Sequence, residues 1–331
     1  MTVQDPPLAP SHDDAPAAFL TCVFLIGAIT LGGLVGLLSP TASATLSRGI
    51  DTTILAMIFL LLFELRLGSL LNAFQNVRFL ALAWGANFLI IPIIGFGIAS
   101  LFFSGQPLLF AGLMIYFLAP CTDWFLGFTR LARGDTELGA ALIPINIMTQ
   151  LLLFPLWLWL FANGTGLVDL SAMPAMLLQW FLIPLLAAQS IRAIMAWALP
   201  QERCAQIMAA VSRCVPFVLA ALIFQLFASH VGEIANHLTL VTSVAAAVCL
   251  FCAATLVVGE SVSRLAGLAY PQQVLLAMTM AARNAPLMIA LTAIALPNQP
   301  LVLAVIVVAM LVEIPLLTAL NQLLLKRRPE R

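Results

Sequence analysis

Two short polar stretches interrupt long apolar runs and decide the fold of this chain. Residues 119–124 have the sequence Ala-Pro-Cys-Thr-Asp-Trp and fall inside the apolar run 108–129. Residues 282–286 have the sequence Ala-Arg-Asn-Ala-Pro and fall inside the run 271–295. Each stretch combines a proline with polar or ionisable side chains. Proline is tolerated within membrane helices, whereas ionisable residues there are rare and usually mark a functional site. The offset of about 162 residues between them predicts two halves that each contain a broken helix.

The composition identifies the solvent of this protein as lipid. Of the 331 residues, 63% are hydrophobic and 8% are charged, and the mean hydropathy is +1.09. A soluble domain has about 45–50% apolar and about 25% charged residues. The formal net charge is zero, which argues against a polyanionic partner such as nucleic acid. We therefore expect an all-α, multi-pass membrane protein whose partners are the bilayer and a small-molecule or oxyanion substrate.

Apolar windows broken by glycine, proline and charged clusters predict about ten transmembrane helices, each of roughly 20 residues. Their approximate cores are 19–38, 50–67, 78–103, 108–129, 138–162, 174–191, 213–229, 238–259, 271–295 and 299–324.

The basic residues give the orientation of these helices. With the N-terminus inside, twelve of the fourteen Lys and Arg residues fall in cytoplasmic segments, Arg48 lies in an outer loop, and Arg283 lies within a span. Because basic loops stay in the cytoplasm, both termini are predicted to be cytoplasmic, in the cell membrane. Glu64, at the cytoplasmic end of the second helix, is expected to reach the interface.

The two halves have predicted boundaries. Residues 18–165 form the first five-helix repeat and 166–326 the second, which is inverted because five is an odd number. A disordered cytoplasmic tail, 1–17, precedes them, and a basic cytoplasmic tail, 327–331, follows. The same offset carries Glu137, where the fifth helix opens, onto Gln299 at the start of the tenth. Broken helices at matching positions of inverted repeats indicate a transporter site near the bilayer midplane.

Several polar residues at membrane depth are candidates for that site. Asp123 and Arg283 occupy the two breaks with opposite charges, so they can pair if the broken helices cross, either for binding or to lock the crossing. Glu313, beside Pro315, can titrate or bind an ion. Asn146 and Gln150 share one face of the fifth helix, where they serve the site or hold helices together.

The cysteines predict neither a disulfide framework nor a metal site. All six lie at scattered spacings, and most fall in apolar runs where a thiol packs as a small hydrophobe. We expect no cofactor and no bound metal beyond a coupling proton or sodium ion.

The run 119–135, Ala-Pro-Cys-Thr-Asp-Trp-Phe-Leu-Gly-Phe-Thr-Arg-Leu-Ala-Arg-Gly-Asp, resembles the fourth-helix segment of the arsenite efflux permeases. These belong to the bile acid/arsenite/riboflavin transporter superfamily, and Cys121 falls on their cysteine. The resemblance extends to Asn87 with Pro92, to 279–290 and to Val312-Glu313-Ile314-Pro315.

The resemblance implies two inverted five-helix repeats, a panel and a core domain, broken fourth and ninth helices that cross, and secondary transport by alternating access. In the arsenite branch the functional residues are the fourth-helix cysteine and a ninth-helix glutamate, and arsenite leaves in exchange for protons. In the bile-acid branch, sodium ions near the crossing drive uptake of organic anions. This chain departs from the arsenite pattern, because Pro286 falls where that glutamate stands and Asp123 replaces an apolar neighbour of the cysteine.

Two functions follow as expectations. The first is proton-coupled efflux of arsenite or antimonite, since a thiolate binds thiophilic As(III). Its substrate-binding residues are Cys121, Thr122, Asp123, Arg283 and Asn284, and Asp123 or Glu313 carries the proton. The alternative is a sodium-coupled symporter of a bile-acid-like organic anion. There Arg283 faces the anion, and the sodium ligands are Asp123, Asn146, Gln150, Asn284 and Glu313.

An enzyme is not expected. A nucleophile needs a base within reach, and the sequence places no histidine inside a predicted span to serve Cys121.

Overall fold

The computed structural model describes residues 14–65, 76–122, 124–162, 178–235, 239–296 and 299–327. Apart from one isolated backbone bridge, the regular structure in these ranges is helical, which confirms the all-α class. The helices are α1 (Asp14–Leu38), α2 (Pro40–Ser47), α3 (Ile50–Glu64), α4 (Val77–Phe103), α5 (Pro107–Phe117), α6 (Trp124–Leu131), α7 (Thr136–Ala162), α8 (Leu178–Ala198), α9 (Gln201–Ala235), α10 (Thr239–Leu265), α11 (Tyr270–Ala281), α12 (Ala285–Ala295) and α13 (Pro300–Lys326).

The described helices have the length and apolarity of a multi-pass membrane protein. Six of them, α4, α7, α8, α9, α10 and α13, are long and apolar enough to cross a bilayer, and α2 with α3, bent by 41°, makes a seventh candidate if the pair counts as one span. The polar residues Arg283 and Glu313 are buried while many large apolar side chains are exposed, as expected when the surrounding solvent is lipid.

Helix α9 is longer than the apolar core at 213–229 from which it was predicted. It runs from Gln201 to Ala235, with a kink at His230 where the backbone leaves helical dihedral angles. Its first turns carry Glu202, Arg203 and Arg213, which end an apolar window but leave the backbone hydrogen bonds of a helix intact. Helix α8 likewise continues past the predicted end at 191 to Ala198, so Arg192 lies within a helix and not in a loop.

The helices pack in two groups. The first group contains α1, α2, α3, α8 and α9, and the second contains α4 to α7 and α10 to α13. They meet where α12 contacts α3 and where α13 contacts α1 and α9. Each group combines helices from both halves of the chain.

Helices α1 and α9 approach very closely in the first group. Gly32 and Gly36 lie one turn apart on α1, and a Cβ atom on them would stand 2.5 Å from the Phe224 carbonyl oxygen and 2.3 Å from that of Ala228. Small residues four apart let membrane helices pack backbone against backbone. This contact fixes α9 as one wall of the space between the two groups.

Candidate functional site

Two helices are broken in the second group, and their breaks cross. The chain leaves the helix after Phe117 and re-enters it at Trp124, and it leaves again after Ala281 and re-enters at Ala285. Pro120 and Arg283 form an antiparallel bridge, in which Cys121 N donates to Ala282 O (3.2 Å) and Asn284 N donates to Ala119 O (2.8 Å). Each interruption therefore supplies a backbone acceptor to the other.

Asn284 joins the crossing to the start of α12. Its side-chain oxygen caps this helix by accepting from Leu287 N (3.2 Å), and Pro286 stands in the first turn, where its missing N–H is not needed. Its amide nitrogen donates to Thr122 Oγ1 (2.9 Å). Two predicted site residues, Thr122 and Asn284, are thus in direct contact.

The Arg283 side chain is fully buried among oxygen atoms. Its Nη1 donates to Phe117 O (3.0 Å), and its Nη2 donates to Thr279 O and Met280 O (2.7 Å each) and to Asn87 Oδ1 (3.2 Å). The guanidinium carbon lies 5.6 Å from the ring centroid of Phe251, a cation–π distance.

Asn87 is held in a widened turn of α4. Residues Ala86–Ile90 form a π-helical turn, and Pro92 withholds the N–H that would bind the Phe88 carbonyl. The Asn87 amide nitrogen donates to Thr279 Oγ1 (3.1 Å), so its oxygen is left to accept from Arg283.

Glu313 binds both broken helices from α13. Its Oε1 accepts from the backbone N–H of Arg283 (2.9 Å), and its Oε2 accepts from the Tyr116 hydroxyl (2.5 Å). Only 4% of the residue is exposed. The carboxylate therefore joins the end of α5, the second break and α13 at one point.

Asn146 and Gln150 lie buried on α7, four residues apart as predicted. Gln150 donates from its amide nitrogen to the Met288 sulfur on α12 (3.6 Å), while its oxygen and both polar atoms of Asn146 have no hydrogen-bond partner among the described residues. Buried amides usually have partners.

A cavity of about 840 Å³ lies between the two groups of helices. Thr122 and Pro286 line it at the crossing, and Glu64, Arg192, Gln201 and Cys204 line it towards the start of α9. Cys121 is 1% exposed and is not a lining residue.

Asp123 lies outside the described residues, so the predicted pair between Asp123 and Arg283 remains a prediction. The other predicted residues separate into three places. Cys121, Thr122, Arg283 and Asn284 form the crossing, Glu313 braces it from α13, and Asn146 and Gln150 approach α12 from α7.

The sequence reasoning missed Tyr116, Phe251 and the cavity position of Arg192. Tyr116 stands five residues before Cys121 in an otherwise apolar run and is one of two tyrosines in the chain, which was an available indication. Phe251 has no distinguishing pattern among the 21 phenylalanines. Arg192 donates to the carbonyls of Phe63 and Leu65 at the end of α3, which explains how an arginine is accommodated there.

A helical membrane protein whose buried polar residues gather where two broken helices cross, beside a cavity, has the construction of a membrane transporter. Residues 52–237 match the sequence profile of the Sodium Bile acid symporter family, and the chain belongs to that family. It is also 26% identical over 278 residues to the arsenical-resistance protein Acr3 of Corynebacterium glutamicum, a match that covers 80% of this chain and 74% of that protein. Membership of a transporter family implies a transporter rather than an enzyme.

Proposed function

We propose that this protein is a secondary transporter that works by alternating access, with ten spans in two inverted repeats, 18–165 and 166–326. Ten spans result when α1, the bent pair α2–α3 and each broken pair cross the membrane once, beside the six long helices. Both termini lie in the cytoplasm of a cell-membrane protein; α1 already begins at Asp14, so residues 14–17 of the predicted tail 1–17 belong to that helix, and the tail 327–331 follows α13.

Matching lengths and offsets support the repeat. Helices α4 and α10 have 27 residues each and begin 162 residues apart, at Val77 and Thr239. Helices α7 and α13 also have 27 residues each. Thr122 and Asn284, which share a hydrogen bond, are separated by 162 residues as well. The antiparallel bridge between the breaks agrees with an inverted second half.

The substrate that we propose is arsenite or antimonite, which the protein exports in exchange for protons. The observation that carries this proposal is the position of Cys121 in the crossing, one residue from Thr122 on the cavity wall. A thiolate is the soft ligand that trivalent arsenic prefers. The similarity to Acr3 over most of the chain supports the same substrate.

The proton in this scheme is carried by Glu313 or by Asp123. Glu313 is the described acid of the crossing, and it contacts both broken helices directly. A change in its protonation alters hydrogen bonds to α5 and to the second break together. That connection gives a route by which proton movement changes the geometry around Cys121.

Arsenite uptake into everted membrane vesicles with an acid interior tests this function. Wild type is expected to accumulate arsenite, and Cys121→Ser is expected to lose the accumulation. Cys214→Ser on α9 is the control, because it removes an exposed thiol that lies outside both breaks and is not a cavity-lining residue. Full transport by Cys121→Ser would refute the thiol mechanism.

The alternative is sodium-coupled symport of a bile-acid-like organic anion. One observation favours it, namely the unpartnered amide oxygens of Asn146 and Gln150, since sodium is a hard cation that takes oxygen ligands. Asn146→Leu and Gln150→Leu should then abolish sodium-driven uptake of a taurocholate-like anion. Under the arsenite proposal these substitutions leave proton-driven arsenite transport in place.

A further inference from the structure

The two broken helices end on the same guanidinium. Phe117 is the last residue of α5, and Thr279 and Met280 lie in the last turn of α11. The three carbonyl oxygens of these residues all accept from Arg283. Carbonyls at helix C-termini lack intrahelical partners and carry the negative end of the helix dipole.

The backbone hydrogen bonds explain why these carbonyls need donors from a side chain. In a continuous helix they would accept from the N–H groups of Cys121, Arg283 and Asn284, four residues further on. Those three groups donate elsewhere, to Ala282 O, to Glu313 Oε1 and to Ala119 O respectively. The crossing therefore leaves three buried carbonyls that face one point, and Arg283 supplies their donors.

The remaining contacts of the guanidinium are neutral. The fourth oxygen is Asn87 Oδ1, and the face of Phe251 covers the group. The acid Glu313 contacts the Arg283 backbone, and among the described residues the ion pairs found lie at Glu260 and not at Arg283. Three carbonyls and an amide oxygen form a cage that suits any small cation, and broken helices elsewhere use such ends to coordinate coupling ions.

We propose that Arg283 is a tethered cation that permanently fills an ion site formed by the C-termini of α5 and α11. The protein then takes no ion from solution at this position. Without the side chain, the cage becomes a binding site for a free guanidinium ion or a small monovalent metal cation. This proposal rests on the crossing and not on the identity of the transported substrate.

The test uses the purified full-length protein in detergent, and its readout is the melting temperature. Arg283→Ala is expected to melt lower than wild type, and guanidinium chloride at low, non-denaturing concentration is expected to raise its melting temperature with saturation. Sodium chloride should act in the same direction, whereas choline chloride, whose cation is too large, should not. Urea has nearly the shape of guanidinium without its charge and should give no recovery.

Three results would overturn the proposal. The first is equal action of guanidinium and urea on Arg283→Ala, and the second is an equal rise for wild type with guanidinium. The third is an equal melting temperature for Arg283→Lys and Arg283→Gln. These two variants also test the proposal if Arg283→Ala does not fold. The lysine variant keeps a cation and should melt near wild type, while the glutamine variant should fall well below it, so equal melting of the two would show that the cage needs no charge. Because none of these measurements involves arsenite, they are independent of the proposed function.

Discussion

Replacement of Glu313 by alanine is expected to weaken the crossing by a calculable amount. The change leaves two buried donors, the Tyr116 hydroxyl and the Arg283 backbone N–H, without their acceptor. A buried polar group without a partner costs about 1–3 kcal/mol, so the pair costs about 2–6 kcal/mol. The melting temperature should therefore fall clearly below that of wild type.

Tyr116→Phe separates the two hydrogen bonds of Glu313. It removes the hydroxyl but keeps the ring, and the loss of a hydrogen bond to a charged group costs about 1.5–3 kcal/mol. Tyr270→Phe is the matched control, because that hydroxyl donates to the neutral carbonyls of Ala132 and Leu324. A neutral hydrogen bond contributes about 0.5–1.5 kcal/mol, so the control should lose less.

The combined variant decides whether the reasoning holds. Tyr116→Phe and Glu313→Ala remove the same hydrogen bond, so the double variant should lose less stability than the two single variants together. The assay is a thermal melt of all four proteins in one detergent. Additivity within about 0.3–0.5 kcal/mol would show that the Tyr116–Glu313 hydrogen bond does not stabilise the protein, and would refute the proposed role of Glu313 in holding the crossing together.

Two further predictions concern helix contacts. Gly36→Ala should reduce the yield and melting temperature of folded protein, by about 1–3 kcal/mol of overpacking, because the new Cβ would stand 2.3 Å from a carbonyl oxygen of α9; Gly27→Ala, with no atom within 4 Å, should be neutral in the same melt. Asn284→Ala should cost about 0.5–2 kcal/mol through the lost cap and should slow transport, whereas Asn76→Ala removes a similar cap at α4 and should leave transport intact.

The position of the two breaks could be predicted from sequence because prolines and charged side chains are rare in lipid-facing helices. The same reasoning identified Arg283, Glu313, Asn146 and Gln150 as buried polar residues, since each stands out against an apolar background. Their contacts could not be predicted. Asn87 and Thr279, for example, are 192 residues apart in sequence, yet their side chains share a hydrogen bond and both residues accept from Arg283. No local sequence pattern predicts such a contact.

The sequence also could not predict which residues of the crossing face the cavity. Cys121 and Thr122 are neighbours, yet only Thr122 lines the cavity. Which of two adjacent residues faces a cavity depends on the dihedral angles of an irregular segment, and an irregular segment has no fixed period. The length of α9 was hidden for a different reason, because hydropathy reports the lipid boundary and not the end of the helix.

The crossing places opposite ends of helix dipoles on different sides. The C-termini of α5 and α11, with their negative partial charge, face inward and are occupied by Arg283. Thr122 and Pro286, beside the N-termini of α6 and α12, line the cavity instead. Helix N-termini favour negatively charged groups. The helix ends that face the cavity at the crossing therefore contribute positive partial charge, which favours a negatively charged group there over a cation.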